Sequence, residues 1–305
     1  MLRKRIACIG ECMVELGRID LAAGSAQVGF AGDTFNTAIY LSRLGCDVTY
    51  VTNLGTDAFS DRIVGVMQEE GVSTALVGRH EARLPGIYAI ETDAAGERSF
   101  RYWRENSAAR TLFSGMGAAL DDLVSFDVIY TSGITMAILP PEQRTALTAM
   151  AATLKAAGKT VVFDTNHRPR LWSNDETARA AFSAMWAHST IALPSYDDEE
   201  RLYPGETPQT VLRRIGALGP NEIVLKNGAA GPLILHDGQH AQMQFEVAAR
   251  VVDTSGAGDS FNAGYLAARL GGDRVAMAAA SGHRLACTVI GHHGAVIPNE
   301  AMPER

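Results

Sequence analysis

Short apolar runs that read as strands alternate with amphipathic stretches that read as helices along most of this 305-residue chain. The strand-like runs are Ile6 to Ile9, Val48 to Thr52, Val128 to Thr131, Thr160 to Phe163, Ile191 to Leu193 and Glu222 to Leu225. Between them, Thr34 to Leu44, Asp57 to Glu70, Glu142 to Ala157 and Thr177 to Ala187 carry helical periodicity. Strands that are apolar on both faces need helices on both sides, and helical crossovers make neighbouring strands parallel. The expected class is therefore α/β, a mainly parallel sheet with helices on both faces. Ligands should gather outside the carboxyl ends of its strands. With 47% hydrophobic residues the chain can build one large α/β domain over residues 1–305.

Two segments, about 13–30 and 85–105, break the alternation and look like exposed strands. Ile87 to Thr92, Asp93 to Gly96 and Glu97 to Arg104 read as a β-hairpin. Its Tyr, Phe and Trp residues are more apolar surface than a free hairpin tolerates in water, so it should cover something.

The string Asp253-Thr254-Ser255-Gly256-Ala257-Gly258-Asp259-Ser260-Phe261 carries the most chemistry. It follows Val247 to Val252, an apolar run that reads as a strand, and precedes a periodic run (Phe261, Tyr265, Leu266, Leu270) that reads as a helix. Gly256, Ala257 and Gly258 then sit at a helix start, where open N–H groups and the helix dipole can hold a phosphate. Asp259 would be repelled by a phosphate. Its useful role is to take a proton from an attacking hydroxyl. A Gly-rich helix start alone is ordinary capping, but here cradle and base arrive together. The chain has no Gly-x4-Gly-Lys-Ser/Thr string, and Phe261 stands where a dinucleotide fingerprint needs a third Gly.

This string resembles the C-terminal signature of the ribokinase-like, or PfkB, carbohydrate kinases. Ala31-Gly32-Asp33-Thr34-Phe35-Asn36-Thr37-Ala38 resembles their N-terminal glycine signature. The resemblance implies a ribokinase-like fold, an ATP-dependent sugar kinase with Mg²⁺ arriving on the nucleotide, and a small β-sheet lid built from the two exposed segments. In many members the lid is also a dimer surface, which implies a homo-oligomer. It also implies that Gly256, Ala257, Gly258 and Asp259 form the catalytic turn. The nucleotide should lie along Val224-Leu225-Lys226-Asn227-Gly228-Ala229-Ala230-Gly231, so Ser195, Lys226, Gly228, Gly231 and His283 are nucleotide-site candidates. The family's Asn-x-x-Glu motif, tied to Mg²⁺ and phosphate, is replaced by Ser195-Tyr196-Asp197-Asp198, so no metal ligand is assigned.

A narrower resemblance, to the bacterial 2-keto-3-deoxygluconate kinases of that family, rests on Gly10 to Leu16, Arg83 to Tyr88, Gly96 to Arg104 and Phe163 to Trp172. A sugar acid asks its site for a cation as well as hydroxyl partners, and a guanidinium fork fits a carboxylate better than an ammonium. Arg104, ending the hairpin, and Arg168, following a buried strand, are the candidates; Arg170 reads as structural or solvent-facing. Tyr88 and Tyr102 would supply walls and hydroxyls. Gly32, Asp33 and Asn36 open a helix where N–H groups and a carboxylate can hold sugar hydroxyls, although Asp33 would equally serve as a cap. The competing readings are another ribokinase-like kinase, for fructose or a related ketose or deoxy-keto acid, and a non-catalytic sugar sensor, which would have no need of Asp259.

A net charge of −7 without a basic stripe argues against nucleic acid. No apolar run approaches 18 residues, and Ile6 to Ile9 is too short for a signal segment, so a cytoplasmic protein with no membrane partner is expected. Cys8, Cys12, Cys46 and Cys287 read as buried free thiols. His292 and His293 lack metal-ligand spacing.

Overall fold

The computed structural model describes residues 3–92, 98–241, 243 and 245–303. In chain order it runs β1 (Arg5–Ile9), β2 (Met13–Asp20), β3 (Ser25–Ala31), α1 (Asp33–Arg43), β4 (Asp47–Leu54), α2 (Ala58–Glu69), β5 (Ser73–Arg79), β6 (Ile87–Thr92) and β7 (Arg98–Trp103). Then follow β8 (Val128–Ser132), α3 (Gly133–Ile138), α4 (Pro141–Ala156), β9 (Thr160–Asp164), α5 (Asp175–His188) and β10 (Ile191–Ala192). The last part is α6 (Tyr196–Leu202), α7 (Pro208–Gly216), β11 (Glu222–Leu225), β12 (Leu233–His236), β13 (Gln239–Ala241), α8 (Ala257–Leu270) and α9 (Val275–Val289).

The large sheet has the order β13-β12-β11-β10-β9-β8-β1-β4-β5. Its pairs are parallel from β5 to β11, and β12 and β13 add an antiparallel edge. Buried side chains form one cluster around α1, α8 and α9 and another around α4, α5 and α7, one on each face. This is the expected layering. β1, β8, β9 and β11 are apolar and buried nearly end to end because both faces are covered.

The two segments that broke the alternation make a separate sheet of order β3-β2-β6-β7. β6 and β7 pair antiparallel from Ile87↔Trp103 to Thr92↔Arg98, as the hairpin predicted. The proposed turn at Asp93 to Gly96, with Glu97, lies outside the described residues.

The strand expected at Val247 to Val252 does not form. The N–H groups of Val252 and Asp253 donate instead to the Ile290 carbonyl at the end of α9, at 2.7 and 3.1 Å. Val247 and Val251 are exposed. The run is apolar in composition, but the sheet already ends at β13, so its backbone is satisfied by a helix terminus. Cys8 and Cys12 are buried thiols as expected, whereas Cys46 and Cys287 are only partly buried; none of the four forms a disulfide among the described residues.

Helix α8 is placed by its contact with α9. A Cβ on Gly282 would lie 2.6 Å from the Phe261 carbonyl oxygen and 3.1 Å from the Tyr265 nitrogen. No side chain can be inserted there without parting the helices. Gly282→Ala is expected to destabilise the fold by about 1–3 kcal/mol through this overpacking. Chemical denaturation measures it, and an unchanged midpoint would show that the helices do not meet this closely.

Candidate functional site

The carboxyl ends of β8 and β9 and the loop after β11 face the N-termini of α1 and α8. At α8, Gly256 adopts φ 72° as the N-cap, and a Cβ there would lie 2.5 Å from the Ala295 carbonyl oxygen. Only glycine fits both constraints. The Ser260 N–H makes the first helical bond, to the Gly256 carbonyl at 2.8 Å. The N–H groups of Gly258 and Asp259 lie ahead of it at the open, positive end of the helix. A Cβ on Gly258 would meet only the Lys226 ammonium, at 3.7 Å, so that side of the turn is open.

Asp259, in the first turn, is buried beside two other carboxylates, Asp33 and Asp164. Each has a carboxamide donor. Asn36 Nδ2 lies 2.8 Å from Asp259 Oδ2, Asn166 Nδ2 lies 3.1 Å from Asp33 Oδ2, and Asn262 Nδ2 lies 2.7 Å from Asp164 Oδ2. One cation joins them: Lys226 Nζ is 2.9 Å from Asp164 Oδ1 and 3.1 Å from Asn262 Oδ1. Burial pushes the Asp259 carboxyl up to about 7; the neighbouring Asp33 adds to this, against the Asn36 hydrogen bond. Burial likewise raises Asp33. A carboxylate poised near neutrality beside open N–H groups has the properties of a general base next to an anion site.

The alternative role of Asp33, as a helix cap, falls to its neighbour. Gly32 is the N-cap of α1, and the Asp33 side chain points to Asn166. Gly32 is needed for close approach, since a Cβ there would lie 2.0 Å from the Glu11 carbonyl oxygen. Asn36 faces Asp259.

On the small sheet, the Tyr88 hydroxyl donates to the Glu15 carboxylate, so it serves more as wall than as donor. Tyr102 packs on it with ring centroids 5.8 Å apart. Arg104 is 5% exposed, far from a solvated hairpin end, and its guanidinium pairs with the buried Glu11 carboxylate. Its Nε and Glu11 Oε1 have no partner among the described residues. Arg168 differs. Its side chain is 48% exposed, donates to the His167 carbonyl at 2.9 Å and stands 3.9 Å from Asp198. Arg170 is exposed, as expected.

Ser195 and Lys226 meet in a parallel bridge, which carries β10 and β11 on into the loop. Ser195 Oγ donates to Asp198 Oδ2 at 2.7 Å, and the His167 N–H donates to the same oxygen at 3.1 Å. Gly228 and Gly231 have φ 51° and 78°, and Phe245 closes over Gly231. His283 lies 5.1 Å from the Phe245 ring and 2.7 Å from the Glu246 carbonyl oxygen through Nε2. His292 bonds only its own helix end, at Thr288. The sequence reading missed Asp164, Asn166, Asn262 and Glu11. Asn262 could have been found, because it lies one turn beyond Asp259 on the same face of α8.

The chain belongs to the pfkB family of carbohydrate kinases, whose pattern matches residues 3–302. It is 46% identical over 316 residues to a 2-dehydro-3-deoxygluconokinase of Dickeya dadantii, covering 99% of this chain and 100% of that one. A protein of the same name from Escherichia coli is 42% identical over 314 residues, with the same coverage. The crystal structure of a PfkB protein from a Polaromonas species superposes with a TM-score of 0.82 at 27% identity, over 95% of this chain and 96% of that one. The aminoimidazole riboside kinase of Salmonella enterica shares the fold at a TM-score of 0.81 and 22% identity, over 95% of each chain. Among the described residues, no helix is long and apolar enough to cross a membrane.

Proposed function

We propose that this sugar kinase transfers the γ-phosphoryl group of ATP to the 6-hydroxyl of 2-keto-3-deoxygluconate (2-dehydro-3-deoxygluconate). The observation that carries this reading is the position of Asp259, which joins the open turn of α8 to the carboxylate–carboxamide cluster. Full-length relatives named for that substrate support it. Asp259 takes the hydroxyl proton as the sugar oxygen bonds to the γ-phosphorus. The bond from that phosphorus to the β–γ bridging oxygen breaks, and ADP leaves with that oxygen and its electron pair. In the Gly256-Ala257-Gly258-Asp259 turn the open N–H groups, those of Gly258 and Asp259, hold the charge that develops on the phosphoryl oxygens. The Ala257 N–H already donates to the Thr254 carbonyl at 3.3 Å.

ATP lies along the turn containing Lys226, Gly228 and Gly231, between Ser195 and His283. Among the described residues no three His, Cys, Asp or Glu side chains form a metal cage. Mg²⁺ would therefore be held by phosphate and water oxygens, supplying charge neutralisation when bound. Gly32, Asp33 and Asn36 line the sugar site with Tyr88 and Tyr102. Arg168 meets the substrate carboxylate, having the more accessible guanidinium. Arg104, already neutralised by Glu11, offers its remaining Nε–H. That neutralisation favours one rival reading, a kinase for a neutral ketose such as fructose. The small sheet acts as a lid and docks on a second copy through Trp103 and Val28, which are exposed and share the face opposite Tyr88 and Tyr102. With ATP as donor, the reading includes a cytoplasmic location, which cell fractionation tests.

Asp259→Asn should lower kcat by about 10²–10⁴ with little change in substrate affinity. The base works only when ionised, so wild-type activity should fall as pH drops through about 7. Near-wild-type turnover in the variant, or an acid limb at ordinary aspartate values, would remove Asp259 from the base role.

Arg168→Ala should raise KM for the keto-deoxy acid by roughly tenfold or more, leaving KM for ATP nearly unchanged. Arg168→Lys should recover only part, because the fork is lost. A coupled assay should compare both keto-deoxy acid epimers with fructose. Equal efficiency on fructose would give the site to neutral ketoses.

Sedimentation at micromolar concentration should show a dimer or larger assembly. A monomer that stays monomeric would leave the exposed lid residues without this explanation.

A further inference from the structure

Lys226 has a buried anchor that the phosphoryl-transfer reading does not use. Its ammonium carries three donors. Asp164 Oδ1 takes one at 2.9 Å and Asn262 Oδ1 a second at 3.1 Å, with the Lys226 side chain 11% exposed. Asn262 in turn donates through Nδ2 to Asp164 Oδ2 at 2.7 Å and to the Tyr130 hydroxyl at 2.9 Å. The three side chains close a ring in which Asp164, Lys226 and Asn262 each touch the other two. The ring ties β8, β9 and the loop after β11 to α8, one turn beyond Asp259. The ammonium comes within 3.7 Å of where a Cβ on Gly258 would stand, on the open side of the turn.

We propose that Asp164 and Asn262 are positioning residues that clamp the Lys226 ammonium under the α8 turn, with its third donor directed at the phosphoryl group in transit. Fixing a cation there stabilises charge as it forms, without reorganisation during the reaction. A lysine has four rotatable bonds and would otherwise be free to leave the turn. The clamp places one buried carboxylate against the cation, so Lys226 arrives as half of an ion pair.

The inference rests on Asp259 as base for one of its readouts and is independent of the sugar. Groups facing Asp259 are Asp33, Asn36 and Tyr40 from α1, Tyr130 from β8, Asp164 from β9 and Lys226 from the loop after β11. Asp164 raises the Asp259 carboxyl and Lys226 lowers it. Removing each charge should therefore move the acid limb of the rate profile in opposite directions.

The experiment is a double-mutant cycle on the full chain with Asp164→Asn, Lys226→Met and both together, each checked for folding by circular dichroism. Lys226→Met should weaken binding of a non-hydrolysable ATP analogue, read by calorimetry, by roughly tenfold or more. It should also move the acid limb up by roughly one pH unit, and Asp164→Asn should move it down. Asp164→Asn should weaken analogue binding in the wild-type background and have no further effect once Lys226 is methionine. Additive losses in the double variant, or wild-type analogue binding in Asp164→Asn, would overturn the clamp. If Asp164→Asn does not fold, Asn262→Leu replaces it, with the same criteria for binding. Should Asp259→Asn prove active, the base reading fails, while the calorimetric cycle still decides the clamp.

Discussion

Three carboxylates held out of water, against a single ammonium, are the condition around which the rest of the molecule is arranged. Asp33, Asp164 and Asp259 come from α1, β9 and α8, so no local segment could gather them. Burial raises the carboxyls of both Asp33 and Asp259, and the neighbouring like charges add to it. Carboxamides are the natural partners, because they donate without adding charge. Asn36, Asn166 and Asn262 fill that role, one for each acid. The result is a buried Asp259 carboxyl pushed up to about 7.

Holding such a cluster requires rigid backbone on every side. The parallel strands give it that on one side, being apolar and buried on both faces. On the other side α8 is pressed onto α9 at Gly282, and its first residue is locked by Gly256 against Ala295. Buried charge is expensive to leave unpaired, so the donors that face it are best fixed by further bonds of their own. Asn262, with three hydrogen bonds from one carboxamide, is the clearest case.

The parts legible in the sequence were those decided by local pattern. β8, β9 and β11 appear as short apolar runs, and the β6–β7 hairpin as two aromatic strands around a turn. Gly256 to Asp259 could be read because helix-start chemistry is confined to four residues. Val247 to Val252 misled because apolar composition does not say whether a sheet still has an edge to offer; here Ile290 took the backbone bonds. Asp33 stands at a helix start that local pattern shows, but its donor Asn166 is 133 residues away in the chain and could not be read from it. Asp164, Lys226 and Asn262 are separated by dozens of residues, and only the sheet order brings them together.

The same reasoning explains why Arg104 is buried although it ends a strand of the small sheet. Glu11 lies between β1 of the large sheet and β2 of the small one, and Arg104 follows β7, so their ion pair spans the junction of the two sheets. Replacing either partner alone would leave a buried charge, which costs more than the pair itself contributes. The pair therefore acts as a constraint on geometry more than as a source of stability: it holds the base of the small sheet while β3 and the outer parts of the hairpin remain exposed. The small sheet is thereby tied to the large one at the Glu11–Arg104 end. Trp103 stands at that same end, next to Arg104 in the chain, and its side chain is exposed while Arg104 is buried.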